Sequence, residues 1–186
     1  DIVAVGFNAM EVATTAVRCT AVGPSVMGDG IVTGADNTAI GSKSQLNVTS
    51  GASNTSVGSL SMGVGVATGD LNTAIGYQAG LSVTSGANNT VIGAEAGDAL
   101  TTGGQNVAIG FQALSSEDAN GTAVAVGYRA LKTLNAAAQS YNIAVGYDAG
   151  LLMTTGVENT IVGALAGDAV TTGARNSFFG KDAGSS

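Results

Sequence analysis

Apolar and polar positions along this chain share one period, far longer than that of a helix or a strand. Asn72-Thr73-Ala74-Ile75-Gly76 is followed seventeen residues later by Asn89-Thr90-Val91-Ile92-Gly93. The glycine closing this motif recurs at Gly6, Gly23, Gly41, Gly58, Gly76, Gly93, Gly110, Gly127, Gly146, Gly163 and Gly180, at spacings of 17 to 19 residues. Eleven copies cover the chain with no linker between them, so 1–186 reads as a single repeat domain.

The aligned columns carry the physics. The residue before the anchor glycine is large and apolar in every copy, from Val5 and Val22 through Ile75, Ile92 and Ile109 to Phe179. Two residues earlier stand Thr20, Thr38, Thr55, Thr73 and Thr90, then Val107, Val124 and Ile143. Residues two apart on a strand share a face, and β-branched side chains favour strands. The segment is also too short for a helix. Each copy is therefore predicted to carry one short strand ending at its glycine. The position between, occupied by Ala21, Ala39, Ser56, Ala74, Val91 and their successors, is small or apolar as well. With neither face polar, the pattern predicts burial on both sides. One side would look into the coil's own thin core, the other onto a second layer from the same chain or a neighbour.

After the glycine come an outward pair and a small residue (Ala79, Ala96, Ala113), then a position alternating glycine with methionine or leucine. A second glycine, as at Gly51, Gly86, Gly103, Gly156 and Gly173, closes an outer bend, and the insertions fall there. Such a unit cannot bury its own apolar face. Neighbours stacked in register form parallel sheets along the length. The predicted fold is all-β, a parallel β-solenoid (β-roll) of about eleven 17-residue coils. At about 4.8 Å per coil the rod would be roughly 50 Å long.

Asparagine stands four residues before the anchor at Asn37, Asn54, Asn72, Asn89, Asn106, Asn142, Asn159 and Asn176, with Ile2, Cys19 and Ala123 in the other copies. This column predicts a ladder of amides from coil to coil, local caps on the turn, or both. Cys19 reads as a tolerated small residue in that column.

Composition narrows the function. The chain has 29 Gly, one Pro, no His and no Trp, with 45% hydrophobic and 10% charged residues. Disordered chains are poor in apolar groups, so this one folds. Its small apolar side chains suit a thin core. A net charge of −7 argues against a nucleic-acid partner. No apolar run is long enough for a membrane-spanning helix, so no insertion is expected in this segment. No signal peptide is visible. The chain opens at Asp1 inside a repeat, which predicts a piece of a longer protein. Cys19 is the single cysteine and forms no disulfide within the chain.

Without histidine there is no His-based triad and no His metal site. One cysteine excludes Cys-rich zinc sites. The segment Gly41-Ser42-Lys43-Ser44 lacks the spacing of a phosphate loop. Glu95 with Asp98, and Glu117 with Asp118, read as solvated bend residues rather than acid–base pairs. Asp29 and Asp36 lack the dense oxygen spacing of a calcium loop. The expectation is a protein with no catalytic role, cofactor or metal. One column suggests a surface contact. Phe7, Tyr77, Phe111, Tyr128 and Tyr147 follow the anchor glycine and make up five of the eight aromatics. Beside polar neighbours they are candidates for stacking on sugars, or for shielding the coil corner or packing against a neighbouring chain.

The pattern "NTAIGYQAG…TSGANNTVIG" resembles repeats in the shafts of phage tail fibres and fibre-like surface proteins. It is also similar to the head repeats of trimeric autotransporter adhesins, which form left-handed parallel β-rolls. The likeness extends over essentially all eleven copies, although adhesin head repeats are usually shorter and lack the added bend. What the resemblance implies is a homotrimeric fibre whose second apolar face meets two sister chains. It further implies a structural or receptor-contacting role in host attachment, with a cell-surface glycan or protein as receptor, on the virion. The alternative is a bacterial trimeric adhesin, extracellular at the cell surface. An ice-binding solenoid is a third reading, motivated by the bends Thr84-Ser85, Thr101-Thr102, Thr154-Thr155 and Thr171-Thr172, although Asp118 and Asn135 interrupt that column.

Overall fold

The computed structural model describes residues 1–185. Eleven strands follow one another: β1 (Val3–Val5), β2 (Thr20–Val22), β3 (Thr38–Ile40), β4 (Thr55–Val57), β5 (Thr73–Ile75), β6 (Thr90–Ile92), β7 (Val107–Ile109), β8 (Val124–Val126), β9 (Ile143–Val145), β10 (Thr160–Val162) and β11 (Ser177–Phe179). They form one parallel sheet in sequence order, each strand bonded only to the one before and the one after. Register is strict. Thr73 pairs with Thr90, Ala74 with Val91 and Ile75 with Ile92, and the same columns pair at the other steps. The chain is a parallel β-solenoid, as its period predicted.

Strand ladders account for only part of the coil's hydrogen bonds. Further amides reach the neighbouring coil at three corners held at positive φ, beside others from the bends. One corner lies two residues past the anchor, as at Gln78 (φ 56), Gln112 (φ 52) and Arg129 (φ 51). A second lies four past it, as at Met62 (φ 48), Leu114 (φ 54) and Leu131 (φ 49). The third lies five before it, as at Asn88 (φ 61), Gln105 (φ 62) and Glu158 (φ 59). The left-handed region costs an L residue roughly 1–2 kcal/mol. Each corner recovers part of that by donating its N–H across the coil gap: Arg129 to Phe111 O at 2.8 Å, Leu131 to Ala149 O at 3.0 Å, Gln105 to Ala87 O at 2.9 Å. The corners carry no common side-chain chemistry, so the sequence pattern did not reveal them.

The inside of the coil is as thin as its small residues require. Ala21, Ala39, Ala74, Ala108, Ala125 and Ala144 face inward and are buried. Larger side chains fill the far side, with Met27, Met62, Leu114 and Leu131 on one column and Val48, Val83, Leu100, Leu134 and Met153 on another. Glycine alternates with these where a neighbour needs the room. A methyl group on Gly150 would lie 2.8 Å from Leu131 Cδ2, and one on Gly97 would lie 2.7 Å from Leu100 Cδ1. Large against small, within a coil at Gly97 and between coils at Gly150, brings the core to close packing.

The expectation of burial on both strand faces holds for one face within a single chain. The small-residue face is inside; the face with the large β-branched residues is open, with Ile40 at 39% and Ile75 at 38% exposure. Shape gives the reason: a coil of this circumference has room inside for alanine but not for isoleucine at every step.

Candidate functional site

The asparagine column is a structural spine inside the wall. Asn54, Asn72 and Asn89 are buried. Asn72 Oδ1 accepts the backbone N–H of Asn89 at 3.0 Å and its Nδ2–H at 3.1 Å. Asn72 Nδ2 in turn donates to Asn54 Oδ1 at 3.1 Å and to Gly86 O at 2.9 Å. The same bonds link Asn142, Asn159 and Asn176. The ladder reading therefore holds. The turn that these amides satisfy is the next coil's bend, where Asn37, Asn54, Asn72, Asn89, Asn142 and Asn159 cap a glycine carbonyl and Asn106 caps Asn120 O, rather than their own backbone. Cys19 keeps the same partner type, its thiol 3.5 Å from Gly34 O.

Ala123 interrupts this spine, and here the coil departs most from its copies. Seven residues past the anchor the other coils place core groups such as Leu100 and Leu134, but this one places Glu117, 1% exposed. The solvated bend position expected for Glu117 is thus incorrect. Its Oε1 accepts the Asn120 N–H at 3.1 Å and its Oε2 the Ala136 N–H at 3.2 Å, which ties two long bends together. Asn120 Nδ2 also donates to Ala136 O, serving a bend carbonyl that Ala123 cannot. Burial pushes the Glu117 carboxyl above the usual carboxylate range, and the N–H donors of Ala136 and Asn120 hold it back in part.

A raised folded-state value means a stability contribution fully present below the unfolded carboxylate value and lost as pH rises through the folded one. The melting temperature should therefore fall more steeply as pH rises above about 4 in the native chain than in Glu117→Gln. Circular-dichroism melts at stepped pH measure the two slopes. Asp98, also raised chiefly by burial, is common to both proteins. Equal slopes would remove Glu117 from the account.

The aromatic column occupies an outer corner. Phe111 and Tyr128 stack with centroids 5.3 Å apart, and Tyr128 and Tyr147 at 5.1 Å and an interplanar angle of 5°. The ring faces between Phe111, Tyr128 and Tyr147 are therefore spent on one another. Arg129 lies over Tyr128 at 5.0 Å and holds the buried Asp148 through a two-pronged ion pair. Gln112 Nε2 donates to Glu95 Oε2 at 2.7 Å in the coils below. Phe7 and Tyr77 stand apart from this stack and are exposed. The structure thus brings Phe111, Tyr128 and Tyr147 together and leaves Phe7 and Tyr77 alone.

Of the two candidate calcium ligands, Asp29 is exposed and Asp36 is paired. Asp36 is gripped by Arg18 at 2.6 and 2.7 Å. Among the described residues no group of three or more His, Cys, Asp or Glu side chains is arranged to hold a metal. Likewise, no helix among them is long and apolar enough to cross a membrane. The bend threonines donate to the next coil: Thr84 Oγ1 to Thr101 O at 3.0 Å, and Thr154 Oγ1 to Thr171 O at 3.2 Å. These hydroxyls are each engaged by a carbonyl of the next coil, although Thr154, Thr155, Thr171 and Thr172 remain exposed. Comparison with protein-family models, curated protein sequences and solved structures finds no match to this chain.

Proposed function

We propose that this chain is a structural, surface-contacting section of a trimeric fibre of the phage tail-fibre type, serving host attachment. One observation carries the reading: the outward sheet face is a row of mostly β-branched side chains running the length of the rod, closed at one end by Phe179. Val3, Val5, Ile40, Ile75, Ile143, Val145 and Phe179 are all exposed on it in the single chain. The strip is roughly 50 Å long and about 10 Å wide; its apolar column covers about half of it, and the threonine methyls beside that column extend it to the few hundred Å² at which an apolar patch marks an interaction site. Two sister copies around a threefold axis would cover it, each chain giving and receiving the same surface. The rod's low charge and its wall of committed hydrogen bonds fit a passive spacer.

Aspartate at Ile40 and Ile75 tests the trimer. Both sites face solvent in one chain, so the fold should survive, whereas in a trimer two carboxylates per chain would be stranded in a dry interface. The native chain should sediment as a trimer, and Ile40→Asp/Ile75→Asp as a folded monomer. A stable native monomer in analytical ultracentrifugation would refute the trimer.

A further inference from the structure

The period stretches most between Gly127 and Gly146, at 19 residues, and the long bend this creates brings Gln139 to the edge of an open groove of about 380 Å³. Its polar lining is Asn88 and Gln105 from two left-handed corners on successive coils, Thr102 and Asn120 from bends, and Gln139 from the long bend. Alanine and glycine complete the lining, and no ionisable side chain takes part. The volume is within the range of small-ligand sites, about 300–1,000 Å³.

The state of these groups decides what the groove would take. The side-chain amides of Asn88 and Gln105 are exposed and make no hydrogen bond to another described residue, unlike the asparagines of the spine one position along. Gln139 Oε1 accepts the Tyr141 hydroxyl at 2.5 Å, which fixes the amide and leaves Nε2 to donate outward. An anion would find no cation here and a chain of net charge −7. An apolar ligand would strip water from three amides and replace none of those bonds. A hydroxyl-rich neutral ligand satisfies both halves of each amide, because every hydroxyl donates and accepts.

We infer that this groove binds a short stretch of neutral carbohydrate, with Asn88, Gln105 and Gln139 as its recognition amides. The site rests on and deepens the surface-contact reading above, and moves the sugar contact from the aromatic corner to the amides of this groove.

The test is a titration of the full isotope-labelled chain with maltohexaose, mannohexaose and chitohexaose, followed through the side-chain amide resonances. At least one sugar should shift the Asn88, Gln105 and Gln139 signals saturably. Asn88→Gly and Gln105→Gly tolerate the left-handed corners, so the fold is kept, and each should weaken binding about fivefold. Gln112→Ala at the aromatic corner should leave it unchanged. Unmoved groove amides with all three sugars would overturn the site, as would unaltered binding by both glycine variants or shifts confined to the aromatic corner. The titration needs no trimer. A monomer in the centrifuge with intact sugar shifts sinks the fibre and spares the groove, and a trimer with silent amides does the reverse.

Discussion

Gly127→Ala is expected to unfold the middle of the rod, at a cost on the order of 4 kcal/mol or more. Gly127 sits at φ +137, a region that L side chains rarely adopt. A methyl group there would lie 2.1 Å from Gly146 O and 2.6 Å from Gly146 C. Neither coil can retreat. The gap is set by the Gly146 N–H bond to Val126 O at 2.8 Å and the Asp148 N–H bond to Tyr128 O at 2.9 Å, while the Gly127 N–H bond to Ile109 O at 2.7 Å holds the Gly127 coil to the one before it. Opening it by an ångström would break the ladder on both sides. Gly180 supplies the control. It has φ +115, and a methyl group there would meet nothing within 4 Å. Gly180→Ala should show only backbone strain, about 1–3 kcal/mol. Urea denaturation separates the two, since the midpoint of Gly127→Ala should drop well below that of Gly180→Ala. Equal drops would mean that the conformation, not the close approach of coils, selects glycine here.

The second large effect is at the asparagine spine. Asn72→Ala removes a buried amide that makes four hydrogen bonds, two accepted from Asn89 and one each donated to Asn54 and Gly86. The Asn89 N–H, the Gly86 carbonyl and the Asn54 Oδ1 lose a partner where water cannot replace it. At about 1–3 kcal/mol for each buried group left unsatisfied, the expected loss is on the order of 3 kcal/mol. Asn72→Asp is the more telling variant. It keeps an acceptor for Asn89 but forfeits both donations and buries a charge among carbonyls. It should be at least as damaging as alanine at neutral pH and should recover as the carboxyl protonates in acid. Urea midpoints at two pH values read this directly. A native-like Asn72→Ala would reduce the ladder to decoration.

The strands, their parallel order and the anchor glycines were legible because they are stated eleven times, and a column averages away the noise of any single copy. Asn72 and its equivalents were legible as a ladder for the same reason. What a column does not encode is which strand face turns inward: Ala74 and Ile75 are both apolar, and only the width of the closed coil decides between them. The left-handed corners were hidden because backbone geometry there is enforced by N–H bonds to the next coil, leaving the side chains of Gln78, Arg129 and Asp148 free to differ. Glu117 was misread because it breaks its column: in place of an apolar group stands a carboxylate whose partners, Asn120 and Ala136, come from bends of unusual length. The groove beside Gln139 escaped notice for a related reason, since a site built by one insertion has no counterpart in the other copies.

Because each coil bonds only to the one before and the one after it, the interfaces between coils are nearly interchangeable. Gaining or losing one copy by duplication or deletion would alter the span by about 4.8 Å and leave every remaining junction chemically complete. The molecule is in this sense a ruler graduated in single turns, and its reach can drift over generations without any redesign of what holds it together.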